Sequence, residues 1–332
     1  MNSYNRMVNF IKTNGGAEKC VRFDNFAREH LMGATGFYST QVDMRRGPGQ
    51  VNTPSFNERY VNTVSLILVL KALKHVAKMG ANKKKFVFAE IGGGNGNFKR
   101  AFISTWEHYG AVQAGESIFP DLEYISVEPN PNHRAAQSFA GKVVKGTAQK
   151  TGLPNSSVDL LFDEEVVDCL PFRIVKYDPE KKNIYYEAFV QIEPDNTLNI
   201  VFEKAERDEG IAFYEKFLKT RTPYIGDLNW SDDYPKYWAE SFRVLKPGGV
   251  RVSIDYSVER TAVSNSRYCY ALREPYLVDL THYVDYKLQT IIALQQGFNF
   301  VGHVLLSKAI SGVSPGIVSS PNREILEVEK PM

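Results

Sequence analysis

The sequence predicts an α/β fold: a doubly wound parallel sheet that carries a small β-rich insertion and follows an N-terminal helical extension. Three observations predict it. Strand-length apolar runs alternate with helical periodicities from residue 60 onward. The stretch FAEIGGGNG, residues 88–96, sets a glycine turn between one such strand and a helix. Residues 172–229 then change texture, to alternating strands separated by turn residues.

Taken in order, residues 60–79 have helical spacing and residues 85–91 form a short apolar strand. Phe98, Phe102, Trp106 and Tyr109 recur at helical intervals, so residues 98–109 are a helix whose aromatic face belongs to the core. Residues 122–128 read as the next strand and 131–140, opened by a proline, as a helix. Strands at 158–162 and 250–256 come next, the latter after the turn KPGG. Between them RIVKY, IYYEAFVQI and LNIVFEKA, separated by DPEKKN and EPDNT, read as antiparallel hairpin strands. The expected domains are residues 1–80, the helical extension; 81–171, the first part of the core; 172–229, a β-rich cap over the strand ends; and 230–332, the rest of the core.

Composition narrows the function classes. A net charge of +2 over 332 residues gives no global electrostatic reason to expect nucleic acid or a membrane surface as partner. Cys20, Cys169 and Cys269 are distant and odd in number, which argues against a disulfide framework or a structural zinc, and no metal is expected. The apolar stretch at 64–70 is too short to span a bilayer and runs on into Lys71 and Lys74. A reducing, cytoplasmic setting fits best, while the acid-free first 17 residues leave a mitochondrial address open.

The glycine turn carries the chemistry. Gly92, Gly94 and Gly96 form G-x-G-x-G, with Asn97 where a dinucleotide fingerprint has its third glycine, so the dehydrogenase reading is weakened. Glu90 closes the strand before the turn, and Glu128 closes the next strand, with Pro129 beside it. A carboxylate at that second position can accept both hydroxyls of a ribose. Two strand-end acids around a glycine turn match the S-adenosylmethionine site of Rossmann-like methyltransferases. In that site Glu90 faces the cationic methionine end, and Thr147 and Ala148 lie by the adenine. Asp163, Glu164, Glu165 and Asp168 come after the strand VDLLF, where an open α/β sheet places its ligands. A solvated helix N-terminus would attract the same acids.

The segment DEEVVDCLPFRIV resembles the signature of the MidA-type family of SAM-dependent methyltransferases, which includes the mitochondrial complex I assembly arginine methyltransferase and bacterial relatives. Glu165, Asp168 and Leu170-Pro171 fall on the family's glutamate, aspartate and Leu-Pro. FAREHLMGATGFYST, EIGGGNG, YISVEPNPNHRAAQ, GGVRVSIDYS and VDLTHYVDYKLQT are similar to five further family segments in the same order. The segment GQVNTPSFNERY departs from the family, as do Glu164 in place of Asn or His and Ser257 in place of Gly.

The resemblance implies a Rossmann-like class I methyltransferase sheet, S-adenosyl-L-methionine as cofactor, and Asp163 on the cofactor side. It implies methyl transfer to a protein side chain such as arginine, with a small-molecule acceptor or a non-catalytic assembly role as the alternatives. Glu165, with Asp168 or Glu164, would hold a guanidinium in bidentate fashion. Tyr38, Asp279, Thr281 and His282 would line the acceptor side, His282 as a polar neighbour rather than a base. A homodimer is compatible with this reading.

Overall fold

The computed structural model describes residues 2–40, 57–79, 84–113, 119–178, 184–218, 227–257, 271–276, 280–282, 284–311 and 323–332. The chain divides into two compact units. The larger comprises Asn52–Val167, Pro235–Ser257 and Val284–Met332; the smaller comprises Met1–Val51, Asp168–Tyr234 and Val258–Tyr283. The first 80 residues are thus shared between the two units, with helix Glu58–Met79 in the larger.

The larger unit is built on a seven-stranded sheet. In chain order its strands are β1 (Lys85–Ile91), β2 (Asp121–Val127), β3 (Lys142–Val144), β4 (Val158–Glu164), β5 (Leu245–Tyr256), β6 (Asn299–Leu305) and β7 (Arg323–Glu329). Their order across the sheet is β6-β7-β5-β4-β1-β2-β3. The run from β5 to β3 is parallel, whereas β7 is antiparallel to both β5 and β6. The doubly wound parallel sheet that the sequence predicts is therefore parallel over five strands and mixed as a whole. Two strands near the end of the chain, which sequence reading left unassigned, account for the difference.

Helix α1 (Glu58–Met79) and helix α2 (Asn97–Gln113) cover one face of this sheet. By length and composition α1 could cross a membrane, yet Tyr60, Val64, Leu68 and Ala72 join Phe86, Phe88, Phe102 and Trp106 in the core of this unit. Phe88 and Phe102 pack with ring centroids 4.0 Å apart. Phe102 and Trp106 are α2 aromatics whose spacing predicts a buried face. Helix α3 (Pro131–Ala136) is capped by Asn130, whose side chain accepts the Asn132 N–H, and it ends four residues earlier than the sequence suggests. Helix α4 (Tyr234–Val244) leads into β5, and helix α5 (Tyr286–Gln295) starts on Asp285, which accepts the N–H groups of Lys287 and Leu288. Asp285, which falls within the family-like segment VDLTHYVDYKLQT, is thus a helix cap.

The smaller unit holds a five-stranded antiparallel sheet. Its long strand Ile184–Ile192 pairs with Leu198–Lys204, Arg173–Asp178 and the short N-terminal strand Cys20–Arg22. Asp227–Trp230 adds to Arg173–Asp178. The break between Ile184–Ile192 and Leu198–Lys204 falls where EPDNT predicts it, residues 179–183 of DPEKKN lie outside the described residues, and the contribution of Cys20–Arg22 cannot be read from three residues of sequence. Met7, Ile11, Phe23, Phe26, Phe172 and Val190 form this unit's core.

Candidate active site

The carboxyl ends of β1 and β2 hold the glycine turn and its two acids. Gly92, Gly94 and Gly96 all have positive φ, at 73°, 52° and 81°, so the turn is drawn in a conformation that side chains with a Cβ rarely adopt. A Cβ on Gly94 would meet nothing nearer than the Gly92 carbonyl oxygen at 4.0 Å. That face of the turn is open to a ligand. Behind it the space is filled: a Cβ on Gly93 would lie 2.2 Å from Ser126 Oγ and 2.8 Å from Gln137 Oε1.

Glu128 ties the turn to the second strand. One carboxylate oxygen accepts the Gly94 N–H at 3.0 Å and the other accepts the Asn130 N–H at 2.8 Å. Burial pushes its carboxyl up to about 7 despite these two bonds, which favour the charged form. Glu90 is also buried and accepts the Tyr124 hydroxyl at 2.6 Å. Burial pushes it up to about 8; the Tyr124 bond acts the other way, and the charges of Glu164 and Glu128 add to the rise. Of the remaining cofactor candidates, Pro129 and Thr147 are exposed and Ala148 is buried, within a short turn closed by reciprocal Thr147 and Lys150 backbone bonds.

Asp163 departs from its expected place. Strand β4 runs on to Glu164, so side chains still alternate at 163, and Asp163 points to the face opposite Phe162. There it is fully buried, accepts the Tyr237 hydroxyl at 2.8 Å and the Ser253 hydroxyl at 2.9 Å, and pairs with Arg251. It is an internal counter-ion of the sheet, not a cofactor ligand.

Glu164 and Glu165 are brought together by a residue the sequence did not single out. Arg323, at the start of β7 and 1% exposed, pairs with Glu164 at 2.9 Å and with Glu165. Its guanidinium also donates to the Tyr60 hydroxyl at 2.7 Å, and that hydroxyl bonds Glu164 in turn. Glu165 itself has a φ of 52°, the left-handed region that a glutamate seldom enters.

A family profile described as "Putative S-adenosyl-L-methionine-dependent methyltransferase" matches residues 67–304. The chain belongs to this methyltransferase family. Its cofactor is S-adenosyl-L-methionine, and the open face of Gly94 beside the Glu128 carboxylate fits such a ligand. Among solved structures, a protein from Burkholderia thailandensis aligns over 98% of this chain and 91% of its own, with a TM-score of 0.70 at 14% identity. A second crystal structure from that organism, bound to S-adenosyl-homocysteine, aligns with the same coverage, score and identity. At that identity the likeness is one of fold. A comparison with curated proteins gives no match.

For this methyltransferase the acceptor-side candidates gather in the smaller unit. Cys169 Sγ donates to Asp168 Oδ1 at 3.2 Å and lies 2.9 Å from the Tyr38 hydroxyl. The His282 N–H donates to the Asp168 carbonyl at 3.1 Å, and His282 Nε2 lies 3.2 Å from the Tyr234 hydroxyl. Phe172 packs on the His282 ring, centroids 4.5 Å apart. Tyr38, Asp168 and His282 thus form one constellation, with the half-buried Thr281 next in chain. Asp279 lies outside the described residues.

Sequence reading missed Lys99, Gln137 and Arg323. Lys99 is buried in the first turn of α2 and donates to the Gln137 carbonyl at 2.8 Å, while the Gln137 amide donates to the Gly94 carbonyl at 2.6 Å. These two side chains brace the methyltransferase's glycine turn from behind. A lysine flanked by core aromatics, in the run Phe98 to Phe102, was the available signal.

Proposed function

We propose that this methyltransferase transfers a methyl group to a nitrogen of a protein side chain, arginine in the reading that the MidA-type resemblance favours. The observation that carries the methyl-transfer reading is the bond from the Gly94 N–H to Glu128, which fixes an acid beside an open glycine face. The strand order of the larger unit, with the turn after β1, an interior strand between β4 and β2, supports a Rossmann-like layout.

When bound, S-adenosyl-L-methionine would supply an electrophilic sulfonium methyl, which an acceptor nitrogen would take through its lone pair, the C–S bonding pair staying on the departing thioether sulfur and the acceptor shedding a proton. The chain's own residues hold and orient. Glu128 keeps lone pairs beyond its two backbone bonds, and these accept ribose hydroxyls. Glu90, buried at the strand end, faces the cationic end of the ligand. Glu164 and Glu165 offer carboxylates suited to a planar guanidinium, so placement and charge complementarity supply the acceleration.

Calorimetric titration of the purified protein with S-adenosyl-L-methionine and S-adenosyl-homocysteine tests the cofactor side. Both should bind, and Glu128→Ala should weaken each by about 10- to 100-fold, the worth of hydrogen bonds to a charged group. Unchanged affinity in the variant would remove Glu128 from the site.

A further inference from the structure

We propose that Arg323 sets acceptor specificity: it is a resident guanidinium filling the site that Glu164 and Glu165 build, and an arginine acceptor gains that site only by displacing it. This deepens the methyl-transfer reading above and rests on it.

The surroundings of Arg323 are those of a guanidinium receptor. Two carboxylates grip its nitrogens, the Tyr60 hydroxyl accepts a third bond, and the rings of Tyr60 and Tyr256 lie 5.3 Å and 4.5 Å from its guanidinium carbon. Its position matches a ligand's. The cluster stands at the carboxyl ends of β4 and β5, where open α/β sheets bind their ligands. It is also felt at the cofactor cradle, because the charge of Glu164 acts on Glu90. The left-handed backbone at Glu165 turns that residue out of the β4 direction, and such a conformation persists only where the surroundings hold it.

Charge pairing sets the competition. A substrate guanidinium reaching Glu164 and Glu165 meets carboxylates already paired, so its apparent affinity falls by the fraction of molecules in which Arg323 has left. An acceptor with contacts elsewhere on the protein can make up that difference, and free arginine cannot. Removing the Arg323 side chain takes this cation from both acids and leaves a vacancy shaped for an added guanidinium.

The test uses the full chain as wild type, Arg323→Ala and Arg323→Lys, with methylguanidinium chloride as the probe and methylammonium chloride as the control. Arg323→Ala should be less stable than wild type, and its thermal midpoint should climb with methylguanidinium along a one-site curve but not with methylammonium. Wild type should show no such climb, and Arg323→Lys, which keeps a cation in place, should resemble wild type. Methyl transfer to an arginine-containing peptide should rise about tenfold or more in Arg323→Ala. If Arg323→Ala cannot be purified alone, recovery of folded protein only with methylguanidinium present reads the same vacancy. Equal response of Arg323→Ala and wild type to the probe, with S-adenosyl-homocysteine still bound by both, would overturn the proposal. Failure of wild type to bind S-adenosyl-homocysteine would instead overturn the methyl-transfer reading beneath it.

Discussion

The Tyr124 hydroxyl donates to Glu90 at 2.6 Å in a part of the larger unit closed to water. A phenol from the second strand thereby holds the acid that ends the first, and the pair makes the cofactor side sensitive to pH.

Burial lifts Glu90 from its ordinary 4.5 to about 8, so between those values the folded chain holds a proton that the unfolded chain has released. The stability this group contributes is present in full below 4.5 and is lost as the pH rises through 8, at up to about 1.4 kcal/mol per pH unit. Glu128 acts in the same direction up to about 7. Thermal midpoints measured from pH 5 to 9 should therefore fall less steeply in Glu90→Gln than in wild type. The ligands should report the same group. A sulfonium favours ionised Glu90 and a neutral thioether does not, so the affinity ratio of S-adenosyl-L-methionine to S-adenosyl-homocysteine should rise with pH in wild type and stay flat in Glu90→Gln. Parallel pH profiles for the two ligands in wild type would show that Glu90 does not face the sulfonium.

Neighbouring glycines in the turn should respond differently to alanine. At Gly93 the added carbon would lie 2.2 Å from Ser126 Oγ, 2.8 Å from Gln137 Oε1 and 3.0 Å from Glu90 Oε2, and it must push the turn off its support. At Gly94 the space is open and the cost is the positive φ alone, about 1 kcal/mol. Gly93→Ala should lose measurable S-adenosyl-homocysteine binding and several degrees of thermal midpoint. Gly94→Ala should keep most of its stability while its affinity drops, because the methyl enters the ligand's space. The reverse order of stability losses would mean that the turn is braced from the other side.

Asp163 and Arg251 should behave as a structural pair. Asp163→Asn leaves Arg251 buried without its counter-ion, a loss of about 3–5 kcal/mol. Denaturation monitored by tryptophan fluorescence should show that loss, while S-adenosyl-homocysteine affinity of the folded fraction stays within about twofold of wild type. A large affinity change with little change in stability would return Asp163 to the cofactor.

Much of the larger unit was legible from periodicity alone. β1 was placed to the residue at 85–91, and the α2 aromatics proved to be core because a helix with a residue of that size every turn has nowhere else to put them. The glycine turn with Glu90 and Glu128 was legible for a different reason. Positive φ and strand-end acids leave a trace in residue type that spacing preserves. Asp163 was misread because the end of β4 was set two residues early, and in a strand a misplaced end makes an inward side chain look like a loop residue. Arg323 could not be found this way. It meets Glu164 from 159 residues away in sequence, and nothing in the alternating run REILEVE distinguishes a buried arginine from a solvated one.

The position of β7 bears on how the protein is made. Among the described residues it is the last strand in chain order, yet it lies inside the sheet, between β5 and β6, and not at an edge. A nascent chain that has released β1 to β6 therefore leaves one edge of β5 unpaired and β6 without its strand partner until residues 323–329 emerge. Arg323 leads that strand, so Glu164 and Glu165 wait for its guanidinium until some 159 further residues have been added. Cotranslational helpers would be needed longest at the open edge of β5, and strand-length apolar peptides would compete with β7 for it.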